Sequence, residues 1–133
     1  MGYVLDTAFL VDLLRSDPAA KRKARELDSR RETKVLTAPV LYEILAGLLY
    51  TRSRSEAAAF RQLAARYALA AFDEASASKA ADIRAELMRL GRVKSHVDTM
   101  IAGIAQEGRH TLISRDADFA EISRAVGLLV ESY

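Results

Sequence analysis

A chain of 133 residues, half of them apolar and 29% charged, is long enough to bury a core and too apolar for disorder on a domain scale. It has no cysteine and two histidines, His96 and His110, which excludes disulfides, thiolate metal sites and a cysteine nucleophile and leaves little for a histidine-rich centre. The net charge of +2 conceals a bias toward arginine, fifteen against five lysines, the residue better suited to bidentate contact with phosphate.

In chain order, Gly2 to Leu5 reads as a short buried strand, followed by a helix over roughly Ala8 to Leu14. Asp17-Pro18 opens a second helix, with Asp17 as N-cap and Pro18 at the first helical position, running to about Ser29. Lys34 to Thr37 is the next strand, ended by Pro39 at the start of a helix in which Val40, Leu41, Ile44, Leu45, Leu48 and Leu49 recur at helical spacing. A helix over Arg54 to Arg66, a brief strand over Leu69 to Phe72 and a long helix from Glu74 to Leu90, stopped by Gly91, follow. Helix Val97 to Gln106, strand His110 to Ser114, a short helix around Ala117 to Ser123 and strand Leu128 to Val130 close the chain. Strands alternating with helices predict an α/β fold whose parallel sheet carries helices on both faces, within one domain spanning 1–133. The longest apolar stretch, Val35 to Tyr50, is broken by Pro39 and Glu43 and too short to span a bilayer. The start Met1-Gly2-Tyr3-Val4-Leu5-Asp6 shows neither a leader nor a myristoylation pattern, so a cytoplasmic location is expected.

Four acids stand in apolar or strand-end contexts: Asp6 after Tyr3-Val4-Leu5, Glu43 within Val40 to Leu45, Asp98 within Val97 to Ala102, and Asp116 after Thr111 to Ser114. Each has a structural reading. Asp6 and Asp116 could cap the helices they precede, and Asp98 could complete a capping box with Ser95. Glu43 lies mid-helix at the edge of the apolar face and could simply face solvent. Gly47, one turn on, costs about 1 kcal/mol relative to alanine and suggests close approach of a backbone or ligand along that face. In a parallel sheet the ligand site lies beyond the carboxyl ends of the strands, and that rule brings Asp6 and Asp116 to one edge. Two unit charges about 5 Å apart repel by roughly 3 kcal/mol at an effective dielectric near 20, so acids gathered there call for a hard divalent cation. Basic clusters at Lys21 to Arg25, Arg30-Arg31, Arg52/Arg54 and Arg92/Lys94 are each explained by solvated helix faces, and together they permit a nucleic-acid ligand.

The segments Val4-Leu5-Asp6-Thr7, Thr37-Ala38-Pro39-Val40-Leu41-Tyr42-Glu43-Ile44-Leu45-Ala46-Gly47, Val97-Asp98-Thr99-Met100-Ile101-Ala102-Gly103-Ile104-Ala105 and Leu112-Ile113-Ser114-Arg115-Asp116-Ala117-Asp118-Phe119 together resemble the PIN-domain nucleases, most closely the VapC-type toxins of toxin–antitoxin pairs. No one segment is specific, but four in register over the whole chain are. The resemblance implies a three-layer α/β/α sandwich around a mainly parallel, twisted sheet. It also implies metal-dependent endoribonuclease activity, with Asp6, Glu43, Asp98 and Asp116 holding Mg2+, for which Mn2+ could substitute. Thr7 and Ser114 match hydroxyl positions beside the site, and Asp118 a frequently acidic position adjoining it. Ser114 departs mildly from the threonine common there. Dimerisation and a VapB-like antitoxin are implied as well. The surface of Leu48, Leu49, Tyr50 and Ala57 to Phe60 could receive an antitoxin segment or pack in the core, and an antitoxin arginine could enter the acidic pocket.

The resemblance leaves two other functions open: a non-catalytic PIN-like module that binds RNA or protein, and a PIN nuclease of RNA processing without an antitoxin. A haloacid-dehalogenase-type phosphatase would need a second Asp at position eight, which is Ala8. A receiver domain would need a lysine after a late strand, and no glycine-rich phosphate loop is present.

Overall fold

The run Gly2–Leu5 forms β1, the middle strand of the computed structural model, which describes residues 1–133. All four of its residues are buried, as a strand covered on both faces requires. From it the chain builds α1 (Thr7–Leu14), α2 (Pro18–Ser29), β2 (Thr33–Thr37), α3 (Ala38–Thr51), α4 (Arg54–Ala64), β3 (Ala68–Ala70), α5 (Glu74–Arg89), α6 (His96–Glu107), β4 (Thr111–Ile113), α7 (Ala117–Val126) and β5 (Val130–Glu131). The five strands are all parallel in the order β3-β2-β1-β4-β5. Val4 lies opposite Val35 on one side and Leu112 on the other. The chain order therefore reverses direction at β1, which places the topological switch point between β1 and β4.

The predicted elements all form, with shifts at their ends. Leu69 is exposed on the edge strand β3, which ends at Ala70, so Phe72 lies beyond it. Helix α7 runs past Ser123 to Val126, where Gly127 adopts φ 75° and ends it. Strand β5 begins two residues later than the apolar pattern suggests. Leu128 is buried but lies before the strand. Asp17 caps α2 as expected, its carboxylate accepting from the Ala20 N–H at 3.0 Å. A core of 22 buried residues, including Val4, Leu5, Phe9, Ile83, Leu112 and Phe119, fills the space between sheet and helices.

Not all the basic clusters are solvated helix faces. Lys23 is buried and pairs with Glu131 on β5, and Arg30 binds both oxygens of the same carboxylate at 2.8 and 2.9 Å while donating to Tyr3 Oη at 3.1 Å. This network ties α2 to the last strand and holds the Glu131 carboxyl well below its usual range, at about 2, chiefly through Arg30 and then Lys23.

Candidate active site

Beyond the carboxyl ends of β1 and β4, two hydroxyls organise the acids. Asp6 occupies the N-cap position of α1 but makes no side-chain cap bond. Its Oδ2 instead accepts from Ser114 Oγ, the first residue past β4, at 2.8 Å. That Ser114 Oγ also accepts the Asp116 N–H at 3.0 Å, so one buried hydroxyl joins Asp6 to the backbone of Asp116. Across the site, Thr7 Oγ1 donates to Glu43 Oε1 at 2.8 Å and fixes that half-buried carboxylate against the start of α1. Glu43 is therefore not a free solvent-facing side chain.

The late acids are set by helix starts. Ser95 caps α6 and accepts the Asp98 N–H at 3.1 Å, which places Asp98 in the first turn. Asp116 does cap α7, its Oδ1 accepting the Asp118 N–H at 2.9 Å. Its structural role and its place beside Asp6 are thus compatible. Arg115, between Ser114 and Asp116, reaches Asp12 on α1 at 3.0 Å and lies 4.7 Å over the ring of Tyr133. Tyr133 Oη donates to the same Asp12 oxygen at 2.6 Å. This brace on the Ser114–Asp116 turn has no local sequence signal, because its three members are far apart in the chain.

The electrostatics show that the acids share one field. Asp6 is 4% exposed, and burial pushes its carboxyl up to about 6. The bonds from Ser114 and the Thr7 N–H oppose that rise, while the charges of Asp116 and Asp98 add to it. Burial also raises Asp98, with further repulsion from Asp116, Glu43 and Asp118. Desolvation comes first in both cases, as expected for carboxylates at a sheet edge between helix ends.

The acids ring this edge without closing on one point: no three His, Cys, Asp or Glu side chains converge tightly enough to enclose a metal ion as they stand. Like charges with no ion pair among them spread apart. The principal groove, about 290 Å³, lies to one side between α1, α3 and α4, and of the four acids only Glu43 lines it. Gly47 lines it too. A Cβ there would meet nothing within 4 Å, so the glycine opens onto the groove and no backbone approaches it closely. Phe60 is buried in the core, whereas Leu49 and Tyr50 are exposed and Leu48 lines the groove. His96 and His110 flank opposite ends of α6, roughly 18 Å of helix apart, which rules out a histidine acid–base pair. No helix is long and apolar enough to cross a membrane.

An all-parallel α/β/α sheet with acids gathered beyond its two central strands belongs to the class that places its ligand site at a topological switch point. Within that class the PIN domain profile matches residues 3–125, and the chain belongs to the PIN domain family. No curated protein matches the sequence. Among solved structures, the fold is similar to a chain of VapBC2 from Rickettsia felis bound to a DNA fragment from their promoter, with a TM-score of 0.85 at 22% identity over 99% of this chain and 98% of that one. It is similar also to a chain of DNA-bound VapBC from Salmonella typhimurium, with a TM-score of 0.83 at 24% identity, covering 99% and 98%. A chain of VapBC-5 from Mycobacterium tuberculosis gives 0.73 at 24%, covering 98% and 96%.

Proposed function

We propose that residues 1–133 act as one domain, a cytoplasmic metal-dependent endoribonuclease that is the toxin of a VapBC-like pair. The observation that carries the reading is the joint placement of Asp6, Glu43, Asp98 and Asp116 at the carboxyl edge of a PIN fold, with Asp6 buried and repelled by its neighbours. The donor set is all oxygen, and two of its carboxylates are already oriented by Thr7 and Ser114. These features fit a hard divalent cation, Mg2+ or Mn2+, better than zinc or copper. When bound, such an ion supplies a Lewis acid that makes water nucleophilic near neutral pH and stabilises charge on phosphate.

The chain's own residues do the remaining work. The four acids would hold the ion, while Ser114 keeps the Asp6 carboxylate turned to the site by donating to Oδ2. A carboxylate with its pKa near 6 is also suited to take a proton from the attacking water. Nothing in this route needs a 2′-hydroxyl, so RNA as substrate is carried by the family likeness.

The VapBC likeness supports a VapB-like antitoxin and a homodimer as partners. The groove of α1, α3 and α4, with Val11, Leu14, Ile44 and Leu48 in its wall, suits an apolar antitoxin segment, and Glu43 at its end suits an arginine from it.

The test is cleavage of a mixed RNA pool by purified protein with Mg2+, Mn2+ or EDTA, beside Asp98→Asn. Metal-dependent cutting lost in the variant supports the nuclease. Metal-independent cutting, or cutting retained by Asp98→Asn, refutes this site.

A further inference from the structure

The loop between α5 and α6 is exposed from Gly91 to Val93, yet the next residue, Lys94, is only 14% exposed at its side chain. Its Nζ lies 3.3 Å from Asp118 Oδ1 and pairs more closely with Glu121 Oε2. Both acids are on α7, one helical turn apart. The lysine backbone is fixed too, since Arg84 Nη1 donates to its carbonyl at 2.9 Å. An ammonium this far from water requires carboxylate partners, and here it has two. They are not equivalent. Glu121 is 26% exposed and has Arg92 as a second cation at 3.3 Å, so it anchors the cluster. Asp118 is 50% exposed, has Lys94 as its ion-pair partner, and stands two residues past Asp116.

We propose that Lys94 is a positioning residue that holds Asp118 out of the metal-binding set, leaving the site four carboxylates and not five. The inference rests on the metal-site reading above. Asp118 begins the same helix turn that Asp116 caps, and its charge reaches Asp98. Left unpaired, it is the nearest candidate for a fifth oxygen ligand. Lys94 is placed to prevent that, because its anchor on Glu121 holds the ammonium beside Asp118 whether or not the acid is attached.

Mn2+ titration by calorimetry on wild type, Lys94→Met, Asp118→Asn, the double variant and Asp98→Asn tests this. Lys94→Met is expected to bind Mn2+ about tenfold more tightly, a coupling typical of residues in contact. The gain should vanish when Asp118→Asn is added. Asp118→Asn alone should stay within about twofold of wild type, and that arm does not depend on Lys94→Met folding well. Unchanged affinity in a folded Lys94→Met overturns the inference. So does a gain that persists in the double variant, which would show general electrostatics, or weakened binding in Asp118→Asn, which would show that Asp118 is already a ligand. In each of those cases Asp98-dependent Mn2+ binding by wild type keeps the metal site itself. Wild type that binds no Mn2+, or binds it equally well with Asn at position 98, overturns both.

Discussion

Asp6→Asn should stabilise the metal-free protein while removing its activity. Burial lifts the Asp6 carboxyl from its usual 3.8 to about 6. At 1.36 kcal/mol per unit, this corresponds to about 3 kcal/mol of destabilisation when the group is ionised. The folded state binds the proton more tightly than the unfolded chain, so the penalty is absent below about pH 4 and complete above about pH 6. Asparagine removes the charge and still offers an oxygen to the Ser114 hydroxyl and the Thr7 N–H. We expect a gain of about 2 kcal/mol at pH 8, or roughly 5–10 °C in Tm for a chain of this size. Urea and thermal unfolding in EDTA at pH 4 and pH 8 would measure it. The gain should be present at pH 8 and largely gone at pH 4, and Mg2+ should stabilise wild type but not the variant. A variant less stable than wild type at pH 8, or a difference independent of pH, would refute the assignment of the penalty to the Asp6 charge.

Thr7→Ala removes the donor to Glu43 Oε1, and kcat/KM for RNA cleavage should fall about tenfold with under about 1 kcal/mol lost in unfolding; equal rates would show that Glu43 needs no orientation. Glu131→Gln unpairs buried Lys23 and should cost about 2 kcal/mol at pH 7, after discounting for a carboxylate about one-third exposed. Because Glu131 is depressed to about 2, wild type should lose this stability as pH falls from about 4.5 toward 2; a variant with the same acid midpoint would count against it. Gly103→Ala puts a Cβ 2.7 Å from Ala80 Cβ and 2.8 Å from the Ser76 carbonyl oxygen and should cost about 1–3 kcal/mol despite alanine's helix propensity. Gly47→Ala, which meets nothing, should instead gain about 1 kcal/mol by the same melting assay; matching signs for the two would undo the distinction.

Local chemistry in the sequence was sufficient for the sheet and most of the acid set, and long-range pairing was not legible. The buried run at β1, the Asp17-Pro18 start and the Gly91 stop are set by neighbours in the chain, and each appears where the residues predict. Edge strands are different. At β3 and β5 one side of the ladder is unpaired, so apolar content marks burial and not pairing, and Leu128 is buried outside its strand. The capping interpretation of the acids could be weighed only in three dimensions. Asp116 caps its helix, Asp98 sits in the first turn of one capped by Ser95, and Asp6 gives its carboxylate to Ser114 instead. Lys94 with Glu121, and Arg115 with Asp12 and Tyr133, depend on how α7 and the last residues dock. The only local trace is that Asp118 and Glu121 share a helix face.

Two carboxylates make the final contrast. Glu131 meets Arg30 and Lys23 and is held at about 2, so its charge contributes to the fold. Asp6, equally part of the sheet's end, has only hydroxyl and amide donors and faces other acids, so its charge opposes the fold. The chain has cations enough to have paired it: Lys94 is buried on the same side, yet it is committed to Glu121 and Asp118. A fold shaped by stability alone would place a cation at Asp6. Leaving it unpaired while neutralising the acids around it marks that corner as built for an ion supplied from outside, which is the physical reason for locating the function there.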